Sequence, residues 1–149
     1  MLTIFRGILN VPDDSGTNTS VRDLTSDESY ILKQVNIERT KAGLASLQID
    51  YSLVQTARVK SRDMINHGYF GHQSPTVGSP FDQMKKADII YHNAGENIAG
   101  NPSAAGAMAS WMNSPGHRAD ILNPKFNRIG IRVVNGEPYG KMLTQQFIG

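Results

Sequence analysis

The chain has 149 residues and a formal net charge of +2, a length that fits one domain with a substantial core. Its 15 basic residues are scattered singly or in pairs, so no basic surface of the kind that binds nucleic acid is predicted. It contains no cysteine, which excludes disulfides, thiolate metal sites and cysteine nucleophiles.

The start of the chain is predicted to lie outside the folded domain, because residues 10–24 have little apolar content. No apolar run approaches the ~20 residues of a membrane-spanning helix, and residues 1–10 are too short and too interrupted to form a signal peptide. Residues 10–24 are rich in Pro, Asp, Ser, Gly, Thr and Asn. We therefore predict an N-terminal arm or linker over residues 1–24 and one folded domain over residues 25–149.

Two long helices are predicted next. Thr25 and Glu28 have capping-box spacing, and an apolar stripe then continues to Gly43, which predicts a helix over about 26–42. Asp50 is a typical N-cap for a second helix, whose apolar residues repeat at helical spacing up to Gly68.

Glycine and proline punctuate residues 68–80, which predicts an ordered loop because its two aromatic residues must pack. Ser79 followed by Pro80 predicts a short helix over about 80–87. Residues 89–91 and 96–99 are predicted as extended segments.

Pro102 is predicted to open a fourth helix, which carries Trp111 on its apolar face. The last 22 residues alternate like two strands joined by a turn at residues 135–138. Helices on either side of a small, mostly antiparallel sheet indicate an α+β protein, a three-layer α-β-α sandwich.

The first candidate functional residue is His117, which lies in residues 111–118, Trp-Met-Asn-Ser-Pro-Gly-His-Arg. Proline restricts the residue before it and lacks an amide proton, so the helix is predicted to end there and present His117 from a bend. That position suits a ligand or a proton-transfer group. It equally suits a structural histidine that caps the helix end, and the octapeptide alone favours the structural interpretation.

The other histidines differ in their surroundings. His67 is predicted to cap the end of the second helix, and His92 to lie at the surface. His72 and His117 each follow a glycine and lie near a Ser-Pro pair, which suggests a shared pocket.

Glu96 lies between a glycine and an apolar segment, where a carboxylate is more often solvated at a sheet edge. Two histidines and a carboxylate would form a metal site with an open coordination position, although their spacing does not decide whether they meet.

Several ordered motifs resemble the CAP superfamily of cysteine-rich secretory, antigen 5 and pathogenesis-related 1 proteins, in its cysteine-free bacterial branch. The resemblance covers about residues 27–148 and rests on residues 36–39, 43–50, 61–64, 68–75, 95–99, 111–122 and 144–147. It implies an α-β-α sandwich, usually exported from the cell. It also implies a central cleft in which two histidines and two acidic residues can hold a divalent cation.

Carried over by position, His72 and His117 match the paired histidines and Glu96 matches the first acidic residue. Ser114 stands where eukaryotic members have the second acidic residue. The serine removes one charge from the cleft, so zinc or another divalent cation is expected to bind weakly or not at all.

Three functions follow from this resemblance. The first is a secreted, monomeric binding module of the cell envelope that recognises a cell-wall, lipid or protein partner. The second is a metal-assisted hydrolase with His72 and His117 as ligands and Glu96 as general base. The third is a purely structural histidine pair. We favour the binding module, because the family is better known for binding and signalling than for one agreed reaction.

Overall fold

The computed structural model describes residues 23–149, so nearly all of the predicted N-terminal arm lies outside the described residues. The helices are α1 (Ser26–Lys41), α2 (Tyr51–Asn66), α3 (Pro80–Lys86), α4 (Ala104–Met112) and α5 (Pro115–Ile121). The strands are β1 (Gln48–Ile49), β2 (Ala94–Asn101), β3 (Arg128–Gly136) and β4 (Gly140–Ile148).

The four strands form one sheet in the order β1-β3-β4-β2. Strands β3 and β4 form an antiparallel hairpin, β2 pairs antiparallel with β4, and β1 pairs parallel with the start of β3. Helices α1, α4 and α5 cover one face of the sheet, and α2 and α3 pack against the other. The predicted three-layer α-β-α sandwich with a mostly antiparallel sheet is confirmed.

The sheet face beneath α1, α4 and α5 is apolar. Alternate residues of β3 and β4 point to this side, because side chains along a strand alternate between the faces. They pack on apolar residues of the three helices, and the cluster includes Ile31, Val35, Met108, Trp111, Ile121, Ile129, Ile131, Leu143 and Phe147. The single tryptophan is 1% exposed, and its indole N–H donates to the Ile98 carbonyl at 3.0 Å.

The opposite face, beneath α2, is partly polar. Ser61 and Thr144 share a hydrogen bond of 2.7 Å, and Thr56 donates to the Gln146 side chain at 2.6 Å. Two small clusters of apolar side chains flank these contacts, and one of them consists of Leu53, Met84 and Ile148. A Cβ at Gly130 would collide with the Leu53 backbone, so this glycine lets α2 approach the sheet closely enough for the polar contacts to form.

Helix α1 begins with the predicted capping box. Thr25 accepts from the Glu28 amide, and Glu28 accepts from the Thr25 amide. Glu28 is fully buried and also pairs with Arg132 at 3.1 Å, while its second oxygen accepts from the Val133 amide at 3.0 Å. Burial raises the pKa of Glu28, although Arg132 and the hydrogen bonds oppose the shift. The cap therefore also fastens α1 to strand β3.

Arg39, near the end of α1, is 1% exposed. Its guanidinium donates to four backbone carbonyls, those of Ala45, Ile121, Asn123 and Phe126, at 2.7 to 3.2 Å. These carbonyls belong to the loop after α1, the end of α5 and the connection to β3. One buried cation thus fixes the end of α5 and two connecting segments to one another.

The predicted extended segment at residues 89–91 is not a strand. Helix α3 ends with Asp88 in a left-handed conformation (φ 58°) and with a hydrogen bond from the Ile89 amide to the Met84 carbonyl, as in a Schellman cap. This cap turns Ile89 toward Met84 and leaves Ile90 90% exposed. Ile89 and Tyr91 pack on the cluster of Leu53, Met84 and Ile148, beside the end of α3, rather than pairing in the sheet.

Two predictions around α4 and α5 are also corrected. Helix α4 starts at Ala104 with Ser103 as its N-cap, rather than at Pro102. The chain after α4 is not a simple bend, because Pro115 occupies the first turn of a new helix, α5, and His117 lies within it. Proline is favoured at that position since its missing N–H has no partner there anyway.

Replacing Trp111 by alanine is expected to lower the free energy of unfolding by about 3 to 5 kcal/mol, because a large buried side chain is removed and a cavity remains. Denaturant unfolding measures this change. A Trp111→Phe variant keeps most of the buried ring and should lose clearly less. Near-wild-type stability of the alanine variant would contradict the role of Trp111 in the core.

Candidate functional site

His72 and Glu96 meet at the open edge of the sheet. Glu96 lies on β2, which is an edge strand, and its side chain is 2% exposed. The His72 ring, on the loop between α2 and α3, is 55% exposed, and its Nδ1 lies 2.8 Å from Glu96 Oε1. The structure thus joins two of the three predicted site residues.

Glu96 is held from the other side by a chain of buried amides. Its Oε2 accepts from Gln146 at 2.8 Å, and the same Gln146 amide group donates to Gln83 at 3.2 Å. Thr56 donates to Gln146 at 2.6 Å, and its carbonyl accepts from Gln83 at 3.1 Å. Both oxygens of the carboxylate are therefore engaged, and its orientation is fixed by α2, α3 and β4 together.

The loop that carries His72 is anchored to one face of α2. Asp63 accepts hydrogen bonds from the hydroxyls of Tyr69, Ser74 and Thr76. Burial raises the pKa of Asp63, but these hydrogen bonds outweigh it and hold the pKa below its usual value. The Phe70 ring packs edge-to-face on Tyr139, with centroids 5.9 Å apart. Both aromatic residues of the loop thus contact the rest of the domain, Tyr69 through Asp63 and Lys60 and Phe70 through Tyr139.

Lys60 contacts the same loop one turn earlier on α2. It is completely buried, and its ammonium lies 2.6 Å from the Gly71 carbonyl, 3.0 Å from the His72 carbonyl and 3.2 Å from the Tyr69 hydroxyl. Its Nζ also lies 4.8 Å from the centre of the Tyr69 ring. Lys60 is not among the predicted site residues, because a lysine on a predicted helix is normally solvent-exposed.

His117, the third predicted site residue, is placed by helix α5. It is half-buried on α5, and its backbone carbonyl accepts from the Asn97 side chain at 3.0 Å. Asn97 is the residue after Glu96 on β2, so this bond ties the helix that carries one histidine to the strand that binds the other. Burial lowers the pKa of His117, and the charge of a protonated His72 lowers it further.

Asp120 is a site residue that the sequence analysis missed. It lies one turn after His117 on α5, and a Cβ on Gly95 would lie 3.2 Å from its Oδ1. Burial raises the pKa of Asp120, whereas the charge of His72 lowers it. The sequence feature that could have predicted Asp120 is its spacing of three residues from His117, which places both side chains on one helix face. It was hidden because residues 115–121 were not predicted to be helical.

The electrostatics of His72 are dominated by Glu96. The hydrogen bond to this carboxylate raises the pKa of His72, burial opposes the shift, and the charges of Glu96 and Asp120 add to it. A neutral His72 ring must carry its proton on Nδ1 to donate to Glu96, so Nε2 is left as an acceptor. When the ring is protonated, Nε2 becomes a donor.

The residues do not form a set of metal ligands. Within residues 23–149, no group of three or more histidine, aspartate and glutamate side chains is arranged to hold a metal ion. Both oxygens of Glu96 already accept hydrogen bonds, and Ser114 serves as the N-cap residue of α5. Zinc sites in enzymes use three protein ligands, so the arrangement found here does not fit one.

The remaining histidines lie apart from this pair. His67 is the C-cap residue of α2, where it was predicted, but its ring contacts Asp63 at 3.4 Å. His92 is exposed, as predicted. A separate open depression of about 510 Å³ is lined by residues such as Phe81, Lys85 and Ile90, and contains none of the predicted site residues.

The fold and the positions of these motifs agree with the comparison to known families. The model of the CAP family, described as the cysteine-rich secretory protein family, matches residues 32–147. The chain belongs to the CAP family. The resemblance drawn from the motifs is thereby confirmed.

Two relatives of this CAP domain come from Bacillus species. It is 49% identical to the uncharacterized protein YkwD of Bacillus subtilis, in a match that covers 89% of this chain and 52% of YkwD. It is 34% identical to an extracellular protein containing a SCP domain from Bacillus anthracis, with a TM-score of 0.73 and coverage of 85% of this chain and 44% of that one. The CAP domain thus spans about half the length of these two relatives.

An outer surface protein of Borrelia burgdorferi has the same fold. Its TM-score is 0.78 at 20% identity, with coverage of 85% of this chain and 94% of that chain. At this identity the likeness concerns the fold alone. In the described part of this CAP domain, no helix is long and apolar enough to cross a membrane.

Calorimetric titration with zinc at neutral pH is expected to show binding far weaker than the ~10 kcal/mol or more of a structural zinc site, because at most two imidazoles are free to coordinate. Any weak signal should disappear in a His72→Ala, His117→Ala double variant and persist in His92→Ala. Tight binding, or binding that survives in the double variant, would contradict this assignment of the donors.

Proposed function

We propose that this CAP domain is an extracellular binding module whose ligand contacts the outward face of the His72–Glu96 pair. One observation carries the proposal: a buried carboxylate with both oxygens engaged aims a half-exposed imidazole at solvent. Groups oriented in this way before a ligand arrives lose little entropy on binding. The Bacillus anthracis relative, described as an extracellular protein, supports the location.

The groups around the pair indicate a polar ligand. His72 presents Nε2, and the half-buried His117 and Asp120 flank it. Such a surface offers hydrogen bonds and charge rather than an apolar slot, so it suits a cell-wall polymer better than a lipid tail. We therefore propose the cell wall as the source of the ligand.

The alternative function, a metal-assisted hydrolase, is less well supported. It requires Glu96 to act as general base toward a bound water, yet this carboxylate is almost fully buried and bonded to His72 and Gln146. A water molecule would have to reach a side chain that is only 2% exposed before Glu96 could accept a proton from it. The contacts of Glu96 instead favour a role in orienting His72.

Co-sedimentation of the purified domain with purified Bacillus subtilis cell walls tests the proposal. His72→Ala and Glu96→Gln are expected to weaken binding by at least about tenfold, or about 1.4 kcal/mol, because the first removes the contacting ring and the second removes the charge that orients it. His92→Ala is the matched control, since it removes an exposed histidine outside the pair.

Circular dichroism and thermal unfolding of each variant separate loss of binding from loss of fold. Equal binding by wild type and a folded His72→Ala variant would overturn the proposal. An equal loss in His92→Ala would also overturn it, because the effect would then not belong to the pair.

A further inference from the structure

We propose that Lys60, buried in helix α2, is the positioning residue that holds His72 in its ligand-binding orientation. This inference rests on the proposed function, because it assigns Lys60 a role in the same site. Lys60 does not face the ligand itself. It acts through the backbone of the residue that does.

The contacts of Lys60 converge on one stretch of the loop. Its ammonium donates to the carbonyls of Gly71 and His72, at 2.6 and 3.0 Å, and contacts the Tyr69 hydroxyl at 3.2 Å. An ammonium has three N–H donors, and these three oxygens match that number. The two peptide groups that flank the His72 α-carbon are thus fixed relative to α2.

Asp63 performs a different task one turn further along the helix. It binds the hydroxyls of Tyr69, Ser74 and Thr76, which lie before and after the Gly71–His72 stretch. Asp63 therefore fixes the path of the loop, whereas Lys60 fixes the orientation of the peptide groups next to the His72 α-carbon, from which the imidazole projects. A shift of those peptide groups would move Nδ1 away from Glu96 Oε1, which now lies at 2.8 Å.

Burial makes these contacts obligatory for Lys60. Lys60 is 0% exposed, and a buried ammonium without hydrogen-bond partners is strongly unfavourable. Burial lowers the pKa of Lys60, while the nearby carboxylates of Glu96 and Asp63 oppose the shift. The loop carbonyls must consequently face the ammonium, and an apolar residue of the same size would impose no such requirement.

The test compares Lys60→Met, which keeps the side-chain volume but removes the donors, with Lys60→Arg, which restores a cation. Leu53→Ala is the matched control, because Leu53 is also buried on α2 but packs on Met84 and Ile148. The readout is the tautomer of His72 in histidine-labelled protein, observed by ¹H–¹⁵N correlation at a pH of about 8.5, well above the reference histidine pKa.

In wild type the neutral ring is expected to be protonated at Nδ1. Lys60→Met should average the two tautomers and weaken wall binding by at least about tenfold, while Lys60→Arg restores most of the Nδ1 form. Leu53→Ala should lower stability and leave the tautomer unchanged. A Nδ1 form that persists in folded Lys60→Met would overturn the inference.

A measurement on wild type keeps the inference testable if Lys60→Met does not fold. The Lys60 ammonium should give a ¹⁵N signal protected from exchange with water, because its three donors are bonded. Exchange as fast as that of exposed lysines would overturn the inference. The tautomer and exchange readouts need no ligand, so they still decide the role of Lys60 if the cell-wall proposal fails.

Discussion

The guanidinium of Arg39 is the contact on which the arrangement of the loops depends. It lies in the interior and satisfies its donors with carbonyls from three separate segments, including the end of α5 and the approach to β3. A buried cation is tolerated only when its donors are bonded, so these segments cannot move independently. Helix α5, which carries His117 and Asp120, is thereby fixed against α1.

Lys60 has the corresponding role on the other face of the sheet. Both cations bind backbone carbonyls rather than carboxylates, and both hold chain that lies outside the long helices and strands. The candidate site lies between the segments they fix, with His72 on one and His117 on the other. Edge strand β2 connects them, since Glu96 binds the His72 ring and Asn97 binds the His117 carbonyl.

Much of this fold could be predicted because its signals are local. The Thr25–Glu28 capping box, the Asp50 cap and the Ser79-Pro80 helix start depend on neighbours within a few residues, and each is present in the structure. The residues themselves suggested a shared pocket only for His72 and His117, and the family resemblance alone placed Glu96 in the same cleft. The separation of 24 residues between His72 and Glu96 carries no distance information by itself.

What could not be predicted depends on distant contacts. Residues 89–91 form no strand because Ile89 packs on Met84 at the end of a short helix. Asp120 joins the site only because α5 lies against β2, where Gly95 leaves room for its carboxylate. Lys60 and Arg39 have ordinary sequence surroundings, and their burial follows from tertiary structure that a hydropathy pattern does not describe.

The polar contacts between α2 and the sheet imply that one layer of the domain unfolds more easily than the other. Hydrogen bonds such as Ser61–Thr144 and Thr56–Gln146 replace much of the apolar packing found on the opposite face. Water can substitute for hydrogen-bond partners but not for buried hydrocarbon. Partial unfolding should therefore begin where α2 and its loop meet the sheet, and the layer of α1, α4 and α5 should persist longest. The candidate site, whose His72 loop is anchored on α2, would then lie in the least stable part of the molecule.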